Sequence, residues 1–241
     1  MKRFSVGKKI LLGIVGITLV LSATAFSYFN DYYRASSQAL QLIQETETVE
    51  QGRNYLAFVP KEYDAGVILY PGAKVESEAY APLLEELADR GVFAAVVYMP
   101  LHFALFNIDA AFKVMEEHPE IRNWYIGGHS LGGVCAGMLA GRYPERFQGI
   151  ILLASYVTSD LSKTELKALT LIGSNDGVIN MEQYQKNRKN LPDDTEETMI
   201  QGGNHAQFGS YGLQKGDNEA DITCEEQWKQ TADYILKLVV E

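Results

Sequence analysis

The chain has 241 residues, of which 46% are hydrophobic and 22% charged, so it can form one domain with a full core and shows no signature of disorder. The first nine residues hold four basic and no acidic side chains, which leaves 17 basic against 31 acidic side chains in the remainder, a formal charge of −14. Such a body repels phosphate backbones, and we expect no nucleic-acid partner.

Residues 1–30 have the composition of a membrane anchor. Residues 10–29 carry no charge, and a helix of that length reaches across the hydrocarbon of a bilayer. The basic side chains that precede it are expected to stay in the cytoplasm; they are Lys2, Arg3, Lys8 and Lys9. The pattern predicts a single-pass protein of the cell membrane with an extracytoplasmic body. The small-x-small triplet at 23–25 leaves open a cleaved signal peptide and a secreted body.

Residues 31–53 are polar with scattered aliphatic side chains, which predicts a helical spacer or linker before a folded domain at 54–241. Strands and helices then alternate. In chain order the predicted elements are strands at 55–59 and 66–70, a helix at 77–90, a strand at 92–98, a helix at 107–117, a strand at 123–126, a helix at 131–142, strands at 149–154 and 168–172, a helix at 182–190, a strand at 198–200 and a helix at 225–240. The strand at 55–59 closes at Pro60, as an edge strand does.

This alternation predicts an α/β fold, with a mostly parallel sheet and helices on both faces. In such sheets a ligand lies outside the carboxyl ends of the strands. The residues directly after each strand are therefore the candidates for chemistry.

A Gly-x-Ser-x-Gly motif spans residues 128–132, after a predicted strand and before a predicted helix. The two glycines leave room for a sharp turn, and Ser130 would point its hydroxyl into a cleft at the start of the helix. A glycine-rich turn with an incidental serine would look similar in composition. The context favours Ser130 as a nucleophile.

A serine nucleophile needs a base, which is oriented by a third group. His205 follows the last short strand, and it alone of the four histidines has this position late in the chain at a strand end. Asp176 follows the buried strand at 168–172 and is the favoured acid; Asp160, after the preceding strand, is the alternative, and an Asx turn is an ordinary role for either. The predicted triad is Ser130, Asp176 and His205.

An oxyanion hole needs two N–H groups, and the backbone of Leu131 is the first candidate. The second is expected in the turn after the strand at 66–70. Pro71 has no N–H, so Ala73 is favoured and Lys74 is the alternative.

Several motifs together resemble the small bacterial α/β-hydrolases related to dienelactone hydrolases. They are YPGAKV, ESEAYAPLLEELADRG, VVYMP, GGHSLGG, GSNDG and GGNHAQFGSYG, and the resemblance covers about residues 54–240. It implies an α/β-hydrolase fold with a minimal cap or none, hydrolysis of carboxylic esters, and the same triad by position. Dienelactone hydrolases proper carry a cysteine nucleophile where this chain has Ser130, so their substrate does not carry over. Pro71-Gly72 stands where many lipases have His-Gly, and Leu131 where haloperoxidase-like members have Trp.

The expected reaction is acyl transfer from a small acyl ester to Ser130 and then to water, with no metal and no organic cofactor. Side chains that follow strands and could line an acyl pocket are Leu101, His102, Phe103, Phe106 and Tyr156. The sequence leaves open a thioesterase or acyltransferase with the same triad, and a catalytically idle surface binding module. It does not predict an oligomeric state.

Overall fold

The computed structural model describes residues 6–240, and the chain divides between Tyr32 and Tyr33 into two compact units. In the first unit, helix α1 spans Val6–Asn30. Its stretch Leu12–Asn30 has a mean hydropathy of 1.8 and is long and apolar enough to cross a membrane. Lys2 and Arg3, which the predicted orientation uses, lie outside the described residues.

The second unit is built on an eight-stranded sheet with the order β1-β2-β4-β3-β5-β6-β7-β8. β1 pairs antiparallel with β2, β2 pairs antiparallel with β4, and all other pairs are parallel. The strands are β1 Val49–Gln51, β2 Tyr55–Phe58, β3 Ala65–Tyr70, β4 Phe93–Val97, β5 Asn123–His129, β6 Gly149–Leu153, β7 Lys167–Gly173 and β8 Thr195–Ile200. The helices are α2 Ser37–Glu45, α3 Ala81–Ala88, α4 Ala111–Glu117, α5 Leu131–Arg142, α6 Met181–Asn187 and α7 Cys224–Val240.

The central strands are apolar on both faces because helices cover both faces. In β3, Val67 and Leu69 belong to the core cluster under α2, α3 and α7. Ile68 and Tyr70, which point the other way, belong to the cluster under α4 and α5. The predicted α/β fold with a mostly parallel sheet is confirmed.

Residues 33–53 differ from the predicted linker, because they are part of the second unit. Ser36 caps α2 by accepting the N–H of Ala39 at 3.2 Å, and Ala39 and Ile43 are buried. β1 then adds a further strand outside β2, so the segment 55–59 is not the edge that its closing proline indicated. The nine residues of α2 and the three of β1 are too short for their pattern to distinguish docked elements from a helical spacer.

Candidate active site

The turn between β5 and α5 holds Ser130 in a strained backbone conformation. Its φ is 52° and its ψ is −123°, a region that residues with a side chain rarely occupy. A Cβ on Gly128 would overlap the backbone of Gly132, and a Cβ on Gly132 would overlap the carbonyl oxygen of Tyr70. The glycines of the motif therefore let α5 begin directly against the end of β3, with Gly132 at the close approach and Ser130 in the turn just before it.

Two hydrogen bonds fix the backbone of Ser130. Its N–H donates to the carbonyl of Leu153 at 2.9 Å, which continues the β5–β6 pairing into the turn. The hydroxyl of Ser155 donates to the carbonyl of Ser130 at 2.6 Å. Both partners come from the end of β6, so the neighbouring strand holds the strained turn in place.

His205 and Asp176 form a buried pair at the ends of β8 and β7. His205 Nδ1 lies 2.9 Å from Asp176 Oδ2, and each side chain is only 1% exposed. The other carboxylate oxygen of Asp176 accepts the N–H groups of Val178 and Ile179, both at 2.8 Å. These donors fix the orientation of the carboxylate toward the imidazole. Asp160, the alternative acid, instead accepts from the backbone and hydroxyl of Ser162 in an exposed turn.

The second ring nitrogen of His205 makes no hydrogen bond within the described chain. Nε2 is buried and has no hydrogen-bond partner among residues 6–240. The ring centroid of His205 lies 4.5 Å from that of His129, the residue before Ser130. The structure thus brings His205 next to the turn that carries Ser130, without a hydrogen bond from Ser130 to Nε2. Catalytic hydrogen bonds are often long before substrate binds.

Two residues that sequence reasoning missed hold the His205 loop. One carboxylate oxygen of Asp217 accepts the N–H of Ala206 at 2.8 Å, and the other accepts the N–H of Gly177 at 3.0 Å. Asp217 therefore joins the loops that carry His205 and Asp176. Gln227, fully buried on α7, exchanges two hydrogen bonds with the backbone of Asn204, at 3.0 and 2.9 Å. The local sequence does not predict a role for either residue, because each bonds to a segment that is distant in the chain.

The two amides predicted for an oxyanion hole lie on segments that Gly132 brings together. Leu131 is the first residue of α5, so its N–H has no acceptor inside the helix. The N–H of Ala73 has no hydrogen-bond partner in the part of the chain that the structure describes. The N–H of Lys74, the alternative, donates to the carbonyl of His102 at 2.8 Å and is therefore occupied. Of the two candidates in that turn, Ala73 is the one whose N–H is not already donated to another residue of the described chain.

A buried tyrosine orders the Ala73 turn. The hydroxyl of Tyr80 accepts the N–H of Gly72 at 2.9 Å and lies 2.8 Å from His129 Nδ1. Burial, and after it the neighbouring His205, lower the pKa of His129 well below 6.5. The neutral form of His129 is therefore favoured. Since the Tyr80 oxygen already accepts from Gly72, its O–H is free to donate a hydrogen bond to Nδ1 in the tautomer that carries its proton on Nε2. His129, inside the motif, had no assigned role in the sequence interpretation.

A small open cavity of about 210 Å³ lies at Ser130. It is lined by Leu131, Val134, Ala154, Ser155, Tyr156, Val178, Ile179 and Asn180. Of the side chains predicted to line a pocket, only Tyr156 does so here. Leu101, His102, Phe103 and Phe106 lie on the loop after β4 and do not line this cavity. Val178 and Ile179 were missed because they follow Asp176 in a turn without strand or helix periodicity.

Metal ligation has no candidate in this part of the chain. Within residues 6–240, no group of three or more His, Cys, Asp or Glu side chains could hold an ion. Cys135 is buried in α5, and both it and Cys224 are free thiols. The titratable groups near Ser130 are instead arranged as a histidine with a carboxylate.

Comparison with known proteins identifies the fold. The profile of the Alpha/beta hydrolase family matches residues 66–229. No curated protein sequence matches the chain. Among solved structures, a predicted CIB-like hydrolase from Thermoplasma acidophilum is similar at 16% identity and a TM-score of 0.57, over 80% of this chain and 98% of the other. Est1E from Butyrivibrio proteoclasticus has 15% identity and TT1662 from Thermus thermophilus 16%, each with a TM-score of 0.59 over 80% of this chain and 98% of the other.

Proposed function

Because this chain belongs to the alpha/beta hydrolase family, we propose that it is a serine hydrolase that cleaves small carboxylic esters through Ser130, His205 and Asp176. The observation that carries the proposal is the buried 2.9 Å pair of His205 and Asp176. It fixes the tautomer of the imidazole and leaves Nε2, which has no hydrogen-bond partner among residues 6–240, as the nitrogen that can accept a proton.

In the first half of the reaction, the Ser130 hydroxyl oxygen bonds to the acyl carbon of the ester. Its proton passes to His205 Nε2, and Asp176 stabilises the imidazolium through Nδ1. The tetrahedral intermediate then collapses, the bond from the acyl carbon to the alcohol oxygen breaks, and the alcohol leaves with the proton from Nε2. Ser130 is left as an acyl ester.

The negative charge of the intermediate falls on the former carbonyl oxygen. The N–H groups of Leu131 and Ala73 are the donors proposed for it, and the N-terminal end of α5 adds a favourable field. Each such donor typically contributes about 10² to 10³ in rate. In the second half, water attacks the acyl carbon and gives a proton to Nε2. The bond from the acyl carbon to Ser130 Oγ then breaks, Oγ takes the proton back from Nε2, and the acid leaves.

The cavity at Ser130 sets the size of the acyl group. At about 210 Å³ it is smaller than the roughly 300–1,000 Å³ of pockets for drug-sized ligands. Its Val134, Val178 and Ile179 side chains are apolar and suit a short aliphatic or aromatic acyl chain.

The proposed location is the cell membrane, with α1 as an uncleaved anchor and the hydrolase unit outside the cytoplasm. The length and hydropathy of Leu12–Asn30 support an anchor, as does the basic N-terminus.

A fluorophosphonate probe tests the activated serine directly. We expect the native full-length protein to be labelled, and labelling to be lost after heat denaturation and in Ser130→Ala. Ser162→Ala, in an exposed turn away from the site, is the matched control and should be labelled like the native protein. A panel of short acyl esters and thioesters with the labelled protein then separates esterase from thioesterase. Absence of labelling in folded protein would contradict the serine mechanism.

A further inference from the structure

The loop that follows β4 carries three large apolar side chains that the fold leaves exposed. Leu101, Leu105 and Phe106 are 52%, 49% and 56% exposed. Ala104, between them, is buried in the core, so the exposed side chains stand on a segment that is fixed to the fold. Clusters of this kind on a soluble surface mark interaction sites. We name residues 101–106 the apolar loop.

Hydrogen bonds join the apolar loop to the beginning of the second compact unit. The N–H of Lys74 donates to the carbonyl of His102 at 2.8 Å. The carbonyl of Lys74 accepts the N–H of Tyr33 at 2.7 Å, and the carbonyl of Tyr33 accepts the N–H of Glu76 at 2.9 Å. One residue, Lys74, therefore lies between Tyr33 and the apolar loop, next to the proposed oxyanion donor Ala73.

The tether between α1 and Tyr33 is only two residues long. α1 ends at Asn30, and the second unit begins at Tyr33. Three Cα–Cα steps span at most about 11 Å, whichever way α1 points. If α1 lies in a bilayer, this short tether holds Tyr33 close to the lipid surface. Tyr33 is hydrogen-bonded to Lys74, and Lys74 to His102 of the apolar loop, so the loop is held near that surface as well.

We infer that the apolar loop docks on the lipid surface, in the interfacial region of the same bilayer that holds α1. The inference rests on the proposed function, since it requires α1 to be an uncleaved anchor. The chain after residue 9 has a formal charge of −14, so anionic lipid headgroups do not attract it. Contact with a lipid surface therefore has to come from apolar side chains such as those of the apolar loop. Exposed Leu and Phe side chains insert about 5–10 Å into the boundary between headgroups and acyl chains. The catalytic mouth then opens at the boundary between water and lipid.

The test uses the full chain, with α1 present by intact mass, in phosphatidylcholine vesicles with or without bromine on the acyl chains. Bromine quenches tryptophan that reaches the lipid. Leu105→Trp places a probe on the apolar loop. Met199→Trp is the matched control, because Met199 is also 49% exposed but lies on β8, five strands from β4. The native Trp124 and Trp228 are 3% exposed each and give both variants the same background.

We expect brominated lipid to quench the added emission of Leu105→Trp several-fold more strongly than that of Met199→Trp. Equal quenching of the two variants would overturn the inference. A second copy of the chain could cover the loop instead of lipid. In that case brominated lipid would not quench Leu105→Trp, and its emission would shift as the protein concentration rises. That result would also overturn the inference.

Fluorophosphonate labelling of the same vesicles separates this inference from the proposed function. Both tryptophan variants should label as the native protein does, because neither position lines the cavity at Ser130. Labelling without preferential quenching contradicts lipid docking alone. Quenching without labelling contradicts the serine mechanism and supports the docking surface.

Discussion

The hydroxyl of Tyr80 lies 2.8 Å from Nδ1 of His129, in a fully buried contact between the segment before α3 and the end of β5. The same hydroxyl accepts the N–H of Gly72, so one tyrosine connects the residue before Ser130 to the turn that carries Ala73. The two sides of the proposed oxyanion hole therefore depend on a single phenol.

Tyr80→Phe should lower kcat about tenfold with little change in KM, because a loosened oxyanion donor affects the transition state more than substrate binding. The buried N–H of Gly72 and the ring nitrogen of His129 lose their partner, which costs about 1–3 kcal/mol of stability. Steady-state kinetics and urea unfolding measure the two effects. Tyr143→Phe, at an exposed ring, is the control. A rise in KM with unchanged kcat would argue against an oxyanion role.

Acidification should destabilise the fold through His129. Burial and the neighbouring His205 lower its pKa well below 6.5, so under mild acid the unfolded chain binds a proton that the folded chain does not. Above about pH 6.5 His129 is neutral in both states and does not lower the free energy of unfolding. As the pH falls from there toward the pKa of the folded state, the free energy of unfolding decreases by up to about 1.4 kcal/mol per pH unit. Unfolding free energies between pH 7.5 and 5 in the native protein and in His129→Asn measure it. A variant with the native slope would contradict the assignment.

Asp176→Asn tests the choice of acid. The amide keeps the shape of the side chain but favours the wrong imidazole tautomer, and we expect kcat/KM to fall by about 10³ to 10⁴. Asp160→Asn is the matched control and should retain native activity, because its carboxylate only closes a turn with Ser162. An equal loss in both variants would indicate a general effect on folding.

Asp217→Ala should weaken the site without removing a reacting group. It leaves the N–H groups of Ala206 and Gly177 without their acceptor, at a cost of about 1–3 kcal/mol each where they are buried. We expect a lower kcat and faster amide hydrogen exchange in the loops of His205 and Asp176. Asp193→Ala, at an exposed position, is the control. Unchanged exchange in both loops would show that Asp217 does not hold them.

The anchor prediction is checked by intact mass. An uncleaved α1 leaves the full chain in the membrane fraction after carbonate extraction. Cleavage after the small-x-small triplet would instead give a soluble protein that begins at Phe26. Finding that product would contradict the uncleaved anchor and leave the hydrolase proposal untouched.

The parallel sheet was predictable because its signals are local. The apolar runs of β3, β5 and β7, and the glycines around Ser130, report burial and backbone geometry at their own positions. The partners of the site were not predictable, because they come together only through tertiary packing. Asp217 and Gln227 lie 12 and 22 residues beyond His205 and bond to its loop across space. The absence of a pocket role for residues 101–103 has the same origin, since loop direction is not encoded in periodicity.

The helix α2 and strand β1 change what must be included when the hydrolase unit is studied alone. β1 is only three residues long and carries Glu50, features that discourage pairing with another chain. β2 behind it is Tyr-Leu-Ala-Phe, with all four residues buried. A fragment that begins at residue 54 would uncover the N–H and C=O groups of this apolar strand, which is a template for aggregation. A fragment that begins at Tyr33 keeps the strand covered, so the second unit begins 21 residues before the start that the sequence pattern indicates.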